Sequence, residues 1–112
     1  MSADPYRYFR IEANEIVGQL EDGVLELARA PDADHVARLL RLAHTLKGAA
    51  RIVKHGALAE LAHALEDALA PLRDTGGGPL DAADALVDQI AREVAGLAAP
   101  PAAPAAGPVV AT

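Results

Sequence analysis

Through four separate stretches of this chain apolar side chains recur every three or four residues, and among regular structures the helix puts such positions on one face. Phe9, Ala13, Ile16, Leu20, Val24 and Leu27 mark the first stretch, from Pro5 to about Arg29. Asp4 suits its cap, and Pro5 suits the first helical position, where a missing donor costs nothing. Ala30-Pro31-Asp32 interrupts the pattern and offers Asp32 as the next cap. The second stretch, about Ala33 to Lys54, carries Val36, Leu39, Leu40, Ala43, Leu46, Ala50 and Val53. Lys54-His55-Gly56 should end it, with Gly56 in the left-handed conformation that closes a helix. The third, about Ala57 to Asp74, carries Leu58, Leu61, Leu65, Leu69 and Leu72, and Pro71 should kink or fray its last turn. Thr75-Gly76-Gly77-Gly78-Pro79 reads as a loop without rigidity. Leu80, Ala83, Leu86, Val87, Ile90, Val94 and Leu97 define the fourth helix.

Four helices on short connections predict an all-α domain, an antiparallel up-down-up-down four-helix bundle over residues 1–98. From Ala99 to Thr112 the chain is rich in Ala and Pro and offers little bulky apolar surface, which predicts a flexible linker leading into a longer protein. Composition favours the same class, since aromatic residues are only 3% of the chain and Ala and Leu dominate. A 52% hydrophobic share over 112 residues can build one core unaided.

The formal charge of −6 provides no basic field for a phosphate backbone, so nucleic acid is not an expected partner. Without cysteine there is no disulfide framework and no thiol nucleophile. No apolar run is long enough to span a bilayer, and the N-terminus lacks the basic-then-apolar pattern of an export signal. A cytoplasmic location and no membrane partner are therefore expected.

The segment that carries chemistry is Leu42 to Arg51, LAHTLKGAAR, on the second helix. A core stripe through Ala43, Leu46 and Ala50 turns His44 away from the interior, because each residue rotates the helix by about 100°. Lys47, Gly48 and Arg51 follow His44 on one face, and Leu40 and Arg41 precede it by one turn. Gly48 costs about 1 kcal/mol inside a helix relative to alanine. The benefit that would offset this is clearance around the imidazole for another protein's surface. Lys47 offers a mobile ammonium for a phosphoryl oxygen. On the third helix His63 and Glu66 are neighbours three residues apart. If Glu66 faces His44, it can take the Nδ1 proton in a hydrogen bond and leave Nε2 free to attack phosphorus.

With those residues in view, HTLKGAAR followed by LAHALEDAL resembles the histidine phosphotransfer domain at the N-terminus of chemotaxis-type, CheA-like histidine kinases. The likeness covers about Asp4 to Leu97, and DPYRYFRIEANEIVGQLEDGVLELA is similar to the first helix of that subgroup. The resemblance implies that His44 is phosphorylated, that Lys47 aids phosphoryl exchange, that Gly48 gives clearance, and that Glu66 is the hydrogen-bond partner of His44 with His63 beside it. It further implies an ATP-bound kinase domain as phosphoryl source and an aspartate on a CheY-like receiver as destination. ATP and magnesium would then belong to those partners, with no cofactor in this domain and no ATP site of its own. Leu40, Arg41, Gly48 and Arg51 are the expected receiver-contacting residues. Ala49 stands where many relatives have a second glycine or other small residue, and Lys54-His55-Gly56 replaces a Gly-aromatic turn. Such kinases often have a fifth helix after the fourth, whereas here the Ala/Pro-rich tail begins at once, which leaves either a shorter domain or a fifth element beyond that tail.

Other readings stand beside this one. A free-standing phosphorelay shuttle would use the same residues. His44, His63 and Glu66 offer imidazole and carboxylate ligands for a transition metal, although without the duplicated set of a di-metal bundle. A docking bundle without chemistry would treat Lys47 and Arg51 as solvated charges and Gly48 as a packing residue. His35 and His55 carry no chemical signal.

Overall fold

The structure, a computed structural model, describes residues 5–97. The expected cap at Asp4 and the linker at 99–112 lie outside the described residues. Four helices form: α1 (Pro5–Arg29), α2 (Ala33–Ile52), α3 (Gly56–Leu69) and α4 (Asp81–Leu97), with a 3₁₀ turn at Ala70–Leu72. Each helix packs on its neighbours in sequence, and α1 closes the ring on α4, as in an up-down-up-down four-helix bundle. The most extensive contact is between α2 and α3, the pair that carries the candidate chemistry.

Every apolar position expected in α1 is buried. So are Val36, Leu39, Ala43, Leu46 and Ala50 of α2, and Leu58, Leu65 and Leu69 of α3. Leu40, Val53, Leu61, Leu80 and Leu86 sit at the margin, partly buried against this core. No polar or charged side chain is buried among the described residues, so the core places helices and leaves polar chemistry to the surface.

Two helix ends differ from expectation. At α2 the left-handed residue is Lys54, with φ of 62°, not Gly56. His55 N–H donates to Ala50 O at 2.8 Å and Lys54 N–H to Arg51 O at 3.0 Å, the paired bonds of a Schellman closure two residues earlier than the glycine. Gly56 instead opens α3, and His55 caps it, its Nδ1 accepting from Leu58 N–H at 3.2 Å. At the far end α3 stops at Leu69 rather than Asp74. Pro71 has no N–H for the next α-helical bond, and the chain tightens into the 3₁₀ turn, which still buries Leu72.

The glycine loop is more constrained than its composition implies. Gly76 has φ of 77° and donates to Leu72 O at 2.8 Å, while its own carbonyl accepts from Asp32 N–H at 2.8 Å. A Cβ there would come within 2.7 Å of Ala33 N, so only glycine allows this approach. Thr75 Oγ1 donates to Gly77 O at 2.6 Å. The end of α3 is thereby pinned to Asp32, which also caps α2 through Asp34 N–H at 2.9 Å.

Two substitutions test this account of the backbone. Lys54→Gly should raise unfolding free energy by about 0.5–1 kcal/mol, because it removes the strain of a left-handed lysine at some cost in unfolded-state entropy. Gly23→Ala should lower it by about 1–3 kcal/mol in chemical denaturation, since the added methyl overlaps the buried Leu39 side chain between α1 and α2.

Candidate functional site

With Ala43, Leu46 and Ala50 buried, His44 lies outside the α2 stripe, and its side chain is 71% exposed. Glu66 follows the buried Leu65 on α3 and so emerges at the edge of the α2–α3 seam, 19% exposed. The antiparallel run of the two helices brings these residues level. His44 Nδ1 lies 2.9 Å from Glu66 Oε2, a hydrogen bond between side chains 22 residues apart. Lys47, one turn after His44, lays its ammonium 2.6 Å from Glu66 Oε1 and is itself only 13% exposed. Oε1 is buried, and the Lys47 ammonium at this distance is the cation that answers its charge.

Charge follows from this geometry. Burial pushes the Glu66 carboxyl upward, but Lys47 and His44 together outweigh that cost and hold it below the ordinary 4.5. Glu66 is thus a carboxylate at neutral pH and accepts hydrogen bonds without donating any. The neutral His44 ring must then carry its proton on Nδ1, which leaves the Nε2 lone pair on the side away from Glu66.

The other expected residues divide between two depressions. Leu40 and Arg41 border a shallow groove with Ala37, His44, Thr45 and Arg73. Arg51 borders a separate one with His63 and Asp67. His63 stands at the rim, its Nδ1 3.8 Å from Glu66 Oε1 and its Nε2 3.6 Å from Asp67 Oδ2. These distances give charge contacts, not hydrogen bonds. Gly48 is exposed, and a Cβ there would meet nothing within 4 Å. Close packing inside this chain therefore does not account for the glycine, and the surface beyond His44 is left open.

Sequence reasoning passed over Asp67 and Arg73. The four-residue step from His63 marks Asp67 as a neighbour. Arg73 has no helical spacing relation to His44; only the pairing of α2 with α3 reveals it. As for a metal, Lys47 already occupies the Glu66 oxygen that His63 faces, and among the described residues no group of three or more His, Asp or Glu is disposed to hold an ion. No helix among the described residues is long and apolar enough to cross a membrane.

Comparison with known proteins gives this arrangement a family. Residues 6–100 match the model of the Hpt domain family. Among curated proteins, the sensor histidine kinase CheAY of Helicobacter pylori is 40% identical over 62 residues, which are 54% of this chain and 8% of that protein. The chemotaxis protein CheA of Treponema pallidum is 41% identical over 66 residues, 58% of this chain and again 8% of the relative. The matched region is thus a small fraction of either kinase. Among solved structures, the CheA phosphotransferase domain from Thermotoga maritima superposes with a TM-score of 0.76 at 30% identity, covering 88% of this chain and all of that domain. The chain belongs to the Hpt domain family, as a phosphotransfer domain of the type found in CheA chemotaxis kinases.

Proposed function

We propose that His44 accepts the γ-phosphoryl group of ATP from a kinase domain of the same or a paired protein and donates it to an aspartate of a CheY-like response-regulator receiver. The observation that carries this reading is the 2.9 Å bond from Nδ1 to a carboxylate held below its ordinary pKa. It supports a ring with its lone pair on the exposed nitrogen, the form needed for nucleophilic attack. In the first step Nε2 forms a bond to the γ-phosphorus, the bond from that phosphorus to the bridging oxygen breaks, and ADP leaves. The ring becomes a cation that keeps its Nδ1 proton against Glu66, so the carboxylate stabilises the product as well as the nucleophile. In the second step an aspartate oxygen attacks phosphorus, and the electron pair of the P–N bond returns to Nε2.

The residues then have separate tasks. Glu66 orients the ring. Lys47 holds Glu66 in place, and it would contact a phosphoryl oxygen, as the sequence leads one to expect, only by leaving Oε1. His63 borders the cluster without bonding to His44. Gly48 gives the clearance, while Leu40 and Arg41 on one side and Arg51 on the other form the surface a partner meets. ATP and magnesium belong to the kinase and receiver, and catalysis of the first step to the kinase domain of a parent protein-histidine kinase. Residues 99–112 would link this bundle, residues 1–98, to that remainder, in the cytoplasm.

Phosphoryl transfer relies on positioning and charge neutralisation, so few residues suffice. Incubated with ATP and an active CheA-type kinase domain, the chain should acquire an acid-labile, base-stable phosphate. His44→Gln should acquire none. Glu66→Ala should label about 10–100-fold more slowly while melting as a folded domain, a loss of the size seen when the outer hydrogen-bond partner of a metal-bound histidine is removed. An unlabelled wild type, with the kinase active on another substrate, would instead mark a docking bundle without chemistry.

The charge of Glu66 has its own test. Because its folded pKa is depressed, the stability it adds is complete above its unfolded pKa and is lost as pH falls through the folded value. Urea unfolding of wild type and Glu66→Gln should therefore differ by about 1 kcal/mol at neutral pH, and the curves should converge below the ordinary 4.5. A difference that persists unchanged to strongly acid pH would show that the carboxylate charge is not its source.

A further inference from the structure

A phosphoryl group on Nε2 brings up to two negative charges to the side of the ring that Glu66 does not occupy. Lys47 is poorly placed to answer them, since its ammonium is 2.6 Å from Glu66 Oε1 and its side chain is largely covered. Releasing it would strip the carboxylate of a countercharge just as a second anion arrives.

His44 also borders a groove that holds two other cations. The groove there is lined by Ala37, Leu40, Arg41, His44, Thr45 and Arg73 and contains no carboxylate. Neither Glu66, Lys47 nor His63 borders it, so His44 is the residue shared by the carboxylate cluster and a groove that carries two arginines. Arg41 reaches the groove from one turn before His44. Arg73 arrives from just past the 3₁₀ turn, because the end of α3 runs beside the first half of α2. Among the described residues neither guanidinium has an ion-pair or hydrogen-bond partner in the chain, whereas Lys47 does. Arginine stays charged at any physiological pH and offers a planar fork that matches phosphate oxygens.

We propose that Arg41 and Arg73 together bind the oxygens of the phosphoryl group carried on His44 Nε2. The proposal rests on His44 as the phosphoryl acceptor and adds Arg73, from a different element, to its site. Charge is then handled on both sides of the ring: Lys47 balances Glu66 at Nδ1, and the arginine pair balances phosphate at Nε2. Long flexible stems in an open groove let the guanidiniums follow the group as it arrives and leaves.

Phosphoramidate, a small donor with no protein part, tests this apart from any docking surface. Nε2 forms the new P–N bond, the donor's P–N bond breaks, and its nitrogen departs as ammonia with a proton from solvent. Wild type should label at His44. The double variant Arg41→Gln/Arg73→Gln should label about tenfold more slowly, a smaller loss than for a buried oxyanion donor because the groove is open to water. Phosphorus NMR provides the second reading: the arginines favour the dianion, so their removal should raise the titration midpoint of the bound phosphoryl group. Arg41→Lys/Arg73→Lys should bring it back toward wild type, which a purely structural role would not do. Unchanged labelling and an unchanged midpoint in the folded double variant would overturn the arginine assignment alone. Absence of label on wild-type His44 would overturn the assignment of the acceptor, and this proposal with it.

Discussion

The contact between α2 and α3 is the constraint from which the site follows. Leu46, Leu58, Leu65 and Leu69 are sealed in the core, and because side chains on a helix have fixed directions, burying them dictates where their neighbours emerge. His44 and Glu66 each stand just outside the sealed stripe on helices that run in opposite directions. Sliding either helix by one turn, about 5.4 Å, would separate imidazole from carboxylate by more than a hydrogen bond can span. An apolar interface with no chemistry of its own thus sets a polar distance of 2.9 Å. Deep interior polar groups are not used for this, which spares the fold the desolvation that a buried charge would impose.

Glu66 is a compromise between two opposed effects. Partial burial disfavours its charge, while Lys47 and His44 favour it, and the balance falls on the charged side. A fully exposed carboxylate would need no such help but would also hold no particular direction. A fully buried one would tend to take up a proton and lose its acceptor character. At the seam edge the carboxylate is fixed and ionised together, leaving a histidine that is mostly in water yet has one tautomer preferred.

Much of the fold and part of the site were legible in the chain. The apolar period marked all four helices and kept His44 off the core, since a stripe through Ala43, Leu46 and Ala50 admits only one orientation. The pairing of Glu66 with His44 followed from family resemblance, and the residues themselves supported it only on condition of register. Helix ends were harder. Gly56 is the better left-handed residue by backbone preference, but using it would lengthen α2 by two residues, and the turn closes at Lys54 instead. His55, without an evident role in the sequence, caps α3 because the turn closes just before it. The contact between Lys47 and Glu66 needed coordinates, since helical spacing says which face a long side chain leaves from but not which of two anions it meets. Arg73 was hidden for a related reason: it follows a 3₁₀ turn whose direction is not written in a simple period.

The bond from Asp32 N–H to Gly76 O joins the two ends of the α2–α3 hairpin. The outer helices, α1 and α4, attach to the rest of the molecule at those same two ends. The stretch from Asp32 to Gly76, which holds the imidazole and its carboxylate, is thus closed at its mouth by a backbone bond as well as along its apolar seam. Fraying that begins in α1 or α4 meets a boundary there, and the spacing of ring and acid is guarded in part by a glycine in a loop remote from the chemistry.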